Sequence, residues 1–196
     1  MRRKENNIRE KITKNAQTIF ARKGFFRATV EDIAQATGVA KGTVYLYFKD
    51  KQELYIATID AHFSWVLSIL TEIEARKTSA ADKMHDITVQ LAKYLNTLKT
   101  TSTVFSFENI TMTGKALKHM HSIIGARIFA MTDIISRIVK QGIENGEFRN
   151  VDPKVVAFYF LNTIRTMFFS HFYAADSFIR TDTVLELFFE GLKKRR

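Results

Sequence analysis

The sequence predicts an all-α fold, on three observations. Proline occurs once and glycine eight times in 196 residues, too few breakers for the turns a sheet protein of this size requires. Apolar side chains recur at spacings of three and four along most of the chain, the period of a helix with one buried face. Hydrophobic residues make up 46% of the sequence, enough for such faces to meet in a real core.

The elements follow in order. Over residues 7–24, Ile8, Ile12, Ala16, Ile19 and Phe20 form one apolar stripe, and Gly24 is a natural stop. Thr29, with Asp32 three residues on, is a capping-box-like start for a short helix that runs to Thr37 and ends at Gly38. Only about two turns long, it must be packed against others to exist. Lys41 to Phe48 form a second short helix. Asp50, with Glu53 three residues on, opens a longer one carrying Leu54, Ile56, Ala57, Ile59, Phe63, Val66, Leu67 and Leu70. Residues 76–80 break it, and further helices are expected at about 81–99, 102–111, 115–145, 153–174 and 181–194. Asn145-Gly146 closes one of these. Asp152-Pro153 opens the next, with Asp as N-cap and Pro at the first helical position.

The stretch "GVAKGTVYLYFKDKQEL", residues 38–54, is the odd one, because Thr43 to Phe48 have the composition of a strand. A strand there would lack a pairing partner. Two short helices joined at a glycine after a longer helix make instead a helix-turn-helix. Ala34 permits close approach where the two helices cross, and Gly38 can take the left-handed conformation of a tight turn. Val39 and Val44 face Ile33 and the first helix, and Phe48 is expected in the core. Lys41, Thr43, Tyr45 and Tyr47 then point away, carrying groups suited to phosphates and base edges. Lys49 and Lys51 follow at the start of the next helix, where ammonium charge and backbone N–H groups suit a phosphate. Charge agrees: residues 1–53 hold 12 Lys/Arg against 6 Asp/Glu, in a chain of net charge +10. Such asymmetry points to a polyanion-binding N-terminal part.

Other chemistries find little support. There is no Cys, hence no disulfide framework and no thiol chemistry. No run of 18 uncharged apolar residues and no apolar stretch behind the charges of "MRRKENNIREK" is present, so neither a membrane span nor a signal peptide is expected, and the cytoplasm is the expected compartment. His119-x-His121 is the only suggestive metal spacing. Residues two apart on a helix point about 200° around and do not share an ion, so neither metal nor cofactor is expected. No phosphate loop, catalytic triad order or metalloprotease motif appears, which leaves an enzyme without a constellation. The other rival is a helical protein-interaction module with a nonspecific basic DNA-binding head.

The segment "TVEDIAQATGVAKGTVYLYFKDKQEL", residues 29–54, with the preceding "AQTIFARKGF", residues 16–25, resembles the DNA-binding signature of TetR-family transcriptional regulators. The resemblance covers roughly the first 55 residues; beyond them the chain is similar to the family only in length and helical character. It implies a helix-turn-helix DNA-binding domain over 1–53 and a helical ligand-binding and dimerisation domain over 54–196. The protein would be a homodimer on a palindromic double-stranded DNA operator, a repressor released when a small molecule repositions the heads. By the same resemblance Thr29 would touch a phosphate, Lys41 and Thr43 would read bases or phosphates, Tyr45 and Tyr47 would meet the backbone and base edges, and Lys51 would clamp a phosphate. The family often has Ser or Thr where this chain has Ala40, so the recognition helix lacks a side-chain cap. The arm Arg2, Arg3 and Lys4 is a further candidate for DNA.

In the remainder, residues 153–174 are apolar almost all round, which suits a helix buried on two sides. One face packs on its own core. The other, with Val156, Tyr159, Thr163 and Met167, would meet a partner copy together with Leu185, Phe188 and Phe189 of the last helix. A thoroughly buried helix in a monomer is the alternative. Candidates for an effector pocket are the apolar Phe63, Leu91, Leu95, Phe105, Phe107, Met112, Ile124 and Met131. With them stand the polar outliers Glu108, Arg127, Arg165 and His171, costly to bury without a partner. Such a lining suits a large hydrophobic effector, either a lipophilic drug or a fatty acyl-CoA. Some family members with a similar "GTVYLYFKDK" stretch sense acyl-CoA.

Overall fold

A computed structural model of the chain describes residues 2–98, 114–173 and 181–192, with the side chains of 2–6, 95–98, 166–173, 181, 182 and 184 left aside. The described residues form eight helices and no β-sheet. They are α1 (Arg2–Arg27), α2 (Val30–Thr37), α3 (Lys41–Tyr47), α4 (Lys51–Glu74), α5 (Ala80–Leu98), α6 (Gly114–Glu144), α7 (Pro153–Tyr173) and α8 (Thr181–Leu192). The all-α expectation holds, including the helical state of the strand-like residues 43–47. The helix expected at 102–111 lies outside the described residues.

Gly24 stops the regular run of α1, as expected. It breaks the helix at φ 75° and ψ 162°, and one more turn follows to Arg27. The break turns Phe25 inward, where its ring stands 5.1 Å from Tyr55 and 6.0 Å from Phe20.

The chain packs as two compact units, Met1–Trp65 with Thr97–Gly125, and Val66–Asn96 with Ala126–Arg196. They divide α4 at 65/66. In the first unit one core gathers Ile12, Ala16, Phe20, Ile33, Val44, Phe48, Leu54, Tyr55 and Ile59 with Met120. The α4 helix is long and apolar enough to cross a membrane by length and composition. Its Leu54, Tyr55 and Ile59 are instead buried in this core.

In the second unit Val66, Leu70, Ile73, Met84, Ile87, Ile135, Ile138 and Val139 are buried. Local chemistry fixes the helix ends there. Asp152 caps α7 by accepting from the N–H groups of Lys154 (2.8 Å) and Val155 (3.3 Å), with Pro153 first in the helix as expected. The Glu147 carboxylate accepts from the first two N–H groups of α5, at Ala80 (3.1 Å) and Ala81 (3.0 Å). Anionic oxygens suit that end of a helix. Gly142 lets Phe148 close over α6: a Cβ there would lie 2.3 Å from the ring of Phe148 and 2.8 Å from the Cβ of Ala80.

Candidate nucleic-acid interface

The interface is built on α2, α3 and the first turn of α4. The Thr29 hydroxyl accepts from the N–H of Asp32 (3.1 Å), and the Asp32 carboxylate accepts from the N–H of Thr29 (3.0 Å), a reciprocal capping box. Lys23 adds an ion pair to Asp32 at 2.7 Å. The hydrogen bond from Lys23, then those from Thr29, hold the Asp32 carboxyl down at about 2. The cap is thus complete above the ordinary carboxylate range and fails only as pH falls through about 2.

Gly38 closes α2 in the left-handed conformation, φ 73° and ψ 35°. The N–H of Val39 then reaches back to the Ala34 carbonyl at 3.0 Å, so the chain turns within two residues. The α3 helix begins without a side-chain cap at Ala40. It is held from beneath: Val44 and Phe48 are each 1% exposed, in the same core as Ile33 and Phe20. Asp50 caps α4 by accepting from the N–H of Glu53 (2.8 Å), while Glu53 accepts from the N–H of Lys49 (2.7 Å).

The opposite face of α3 is open. Lys41, Gly42, Tyr45 and Leu46 are exposed, while Thr43 and Tyr47 are half-buried, Tyr47 against the core. Lys41 is not idle. It makes an ion pair with Glu31 of α2, whose hydrogen bond pushes the Lys41 ammonium up and pulls the Glu31 carboxyl down. Lys51 is also engaged. Its Nζ donates to the carbonyls of Ala28 (3.1 Å) and Phe26 (3.3 Å) and lies 4.6 Å from the centroid of the Phe25 ring. Burial pulls its ammonium below the ordinary lysine range. Lys41 therefore ties α3 to α2, and Lys51 ties the start of α4 to the α1–α2 turn beside Thr29. The side chains of Arg2, Arg3 and Lys4 lie outside the described residues.

Sequence reasoning missed Leu46, which at 82% has the greatest exposure of any large apolar side chain described. The signal was present: Val44 and Phe48 face inward at a spacing of four, which puts residue 46 on the far side.

The pocket candidates scatter. Leu91 and Met131 are buried in the second unit, where Arg127 is half-buried; Phe63 and Ile124 pack half-buried against the first unit's core. Arg165 is exposed, not a buried outlier, because the buried face of α7 runs through Ala157, Phe160 and Ile164. Asn162 of the same helix donates to the Phe158 carbonyl at 2.8 Å. Phe105, Phe107, Glu108 and Met112, and the side chains of Leu95 and His171, lie outside the described residues. Of the partner-facing candidates, Tyr159 is 63% exposed and stacks at 5.9 Å on Phe188, itself 7% exposed and 5.1 Å from Phe160. Val156, Thr163, Leu185 and Phe189 are half-buried, and the side chain of Met167 is not described. The open apolar positions of α7 and α8 in the single chain are Val155, Phe158, Tyr159 and Leu187. His119 and His121 are both exposed, and the described residues contain no group of three His, Cys, Asp or Glu able to hold a metal.

Comparison with known proteins fits this geometry. Residues 12–58, which span the helix-turn-helix and the start of α4, match the family "bacterial regulatory proteins, tetR family". The chain is 28% identical over 152 residues to the uncharacterized HTH-type transcriptional regulator YfiR of Bacillus subtilis, covering 77% of this chain and 73% of that one. It is 23% identical over 184 residues to the fatty acid metabolism regulator protein of the same organism, covering 92% and 93%. The crystal structure of the regulator FadR from Bacillus subtilis, in complex with stearoyl-CoA, shares the fold at a TM-score of 0.73 and 22% identity, covering 93% of this chain and 98% of that one. Residues 12–58 thus match the DNA-binding region of the tetR family, and the helical fold is shared with FadR along nearly the whole length of the chain.

Proposed function

We propose that the chain is a homodimeric repressor that binds a palindromic DNA operator in the cytoplasm and is released by a hydrophobic effector. The observation that carries this is the division of α3 into two faces. Val44 and Phe48 anchor it in the core, while Lys41, Gly42, Tyr45 and Leu46 stand open beside Lys49. In this reading residues 1–53 hold the DNA, and residues 54–196 hold the effector and the partner copy. Thr29, Lys41, Tyr45, Tyr47 and Lys51 meet the backbone, and Thr43 reads a base. Two copies pair through α7 and α8, where Val155, Phe158, Tyr159 and Leu187 are 59–71% exposed in the single chain. A fatty acyl-CoA is favoured over a lipophilic drug, because likeness to the fatty acid metabolism regulator runs through more than nine-tenths of the chain. Arg127 suits the thioester's phosphates.

Fluorescence anisotropy tests this with DNA from immediately upstream of the protein's own gene, scrambled DNA beside it, across a salt series. Preference for the upstream DNA that survives salt, is lost in Tyr45→Ala and is released by stearoyl-CoA supports the whole reading. Release by a lipophilic cation alone overturns the acyl-CoA assignment. Equal, salt-labile binding to both DNAs, repeated on operators selected from random sequence, overturns the specific regulator.

A further inference from the structure

Leu46 and Gly42 share one side of α3, four residues apart. Neither is explained by the fold. A Cβ at Gly42 would meet nothing within 4 Å, and its backbone does not need positive φ, so alanine would fit there and favour the helix. Leu46 leaves 82% of itself in water, on a helix whose other large aliphatic side chain, Val44, is 1% exposed. One exposed leucine is ordinary. A leucine one turn beyond a needless glycine, on the open face of a recognition helix, is a more specific arrangement.

Both choices make sense against a major groove. A glycine lets the first turn of the helix approach base edges closely. One turn later the face presents two methyl groups and no hydrogen-bonding atom. The thymine C5-methyl is the apolar group that base edges offer in the major groove; other edges present donors and acceptors that leucine would leave unpaired. The surroundings suit a polyanion, with Lys41 and Lys49 exposed on the same segment. We propose that Leu46 is a specificity-determining residue that reads a thymine methyl in each operator half-site, with Gly42 making room for the approach. This rests on the reading of the chain as a sequence-specific DNA binder.

The experiment starts with an operator selected from random duplexes by the intact protein. Each thymine is then replaced by deoxyuridine, which keeps the base pair and removes only the methyl group. Affinities are measured for the wild type and for Leu46→Ala, a surface change that removes apolar bulk and favours the helix. At one thymine per half-site, deoxyuridine should weaken wild-type binding about fourfold, the worth of one buried methyl. It should leave Leu46→Ala unaffected. An operator insensitive to every such replacement, or equally sensitive in both proteins, overturns the inference and leaves the proposed function standing. A shift in oligomeric state on Leu46→Ala also overturns it, assigning the leucine to a protein contact. If no sequence is selected at all, the proposed function fails first and this inference fails with it.

Discussion

Lys51 tests the interface most directly, because fold and DNA make separate demands on one ammonium group. Its Nζ donates to two backbone carbonyls near the end of α1, at 3.1 and 3.3 Å, and stands 4.6 Å from the Phe25 ring centroid. A hydrogen bond from a charged donor contributes about 1.5 kcal/mol or more when buried, but water can replace part of the loss at carbonyls this near the surface. The cation–π contact contributes about 0.5–1 kcal/mol. Lys51→Ala should therefore lose about 2 kcal/mol, or roughly 6 °C in Tm for a chain of this size. An ammonium has three N–H donors, and the third remains for a phosphate. If it meets one, the same substitution weakens binding to all sequences alike and flattens the salt slope by about one unit. Lys51→Met keeps an apolar stem over Phe25, so it should recover part of the stability and none of the slope. Thermal melts and anisotropy across a salt series read the two effects separately. A wild-type slope in both variants beside a lowered Tm would make Lys51 a bracket between α1 and α4 and remove it from the interface. An unchanged Tm would refute the energetics drawn from the carbonyl contacts.

Glu31→Gln should release Lys41 from its ion pair, tightening DNA binding at low salt and steepening the salt slope without changing operator preference; unchanged binding would show that the pair opens at no cost. Gly142→Ala should lower the urea midpoint, because a Cβ at 2.3 Å from the nearly buried Phe148 ring costs about 1–3 kcal/mol, more than the roughly 1 kcal/mol gained in helix propensity; a raised midpoint would mean that the ring moves aside freely. Burial pulls His62 down to about 4, so its neutral form is stable above the ordinary histidine range and stability falls as pH drops from about 6.5 toward 4, by at most about 3 kcal/mol. His62→Phe should flatten that part of the pH–stability profile, and an identical profile would refute the assignment. Val44→Ala should cost about 2 kcal/mol from the core, whereas Leu46→Ala should stay within about 0.5 kcal/mol of wild type; equal losses in chemical denaturation would refute the two-faced reading of α3.

The head was legible in the sequence because its signals are local. Thr29 with Asp32, Gly38, and Asp50 with Glu53 each act within four residues, and each cap forms where the spacing puts it. Gly24 stops the first helical run where the sequence places a stop, but a further turn follows it. A positive-φ glycine equally permits a break followed by another turn, and burying Phe25 decides between the two. The remainder was harder, because its organisation is not local. On α7 nearly every residue is apolar, so periodicity does not say which face turns inward. The structure puts Ala157, Phe160 and Ile164 there and leaves Val155, Phe158 and Tyr159 outside. Glu147 capping α5 was out of reach for the same reason: its partners Ala80 and Ala81 lie more than 60 residues away.

The strand-like composition of residues 43–48 has its explanation in how α3 is stabilised. Seven residues without a side-chain cap do not hold a helix in water. Thr43, Val44 and Tyr45 are weak helix formers, and Gly42 is weaker still. The helix forms because the Gly38 turn fixes where it starts and because Val44 and Phe48 are locked into a core supplied by α1, α2 and α4. Two inward side chains and one turn carry the fold. The outward positions are then released from the requirement of helix propensity, which would otherwise favour alanine, glutamate and lysine there. Tyrosine, threonine, glycine and leucine can occupy them, each with a recognition chemistry that a self-supporting helix would not tolerate so densely. A short, externally anchored helix can therefore carry residues of poor helix propensity on its outward face. Its poor propensity is what the external anchoring permits, and it leaves the outward face open to the contacts proposed for it.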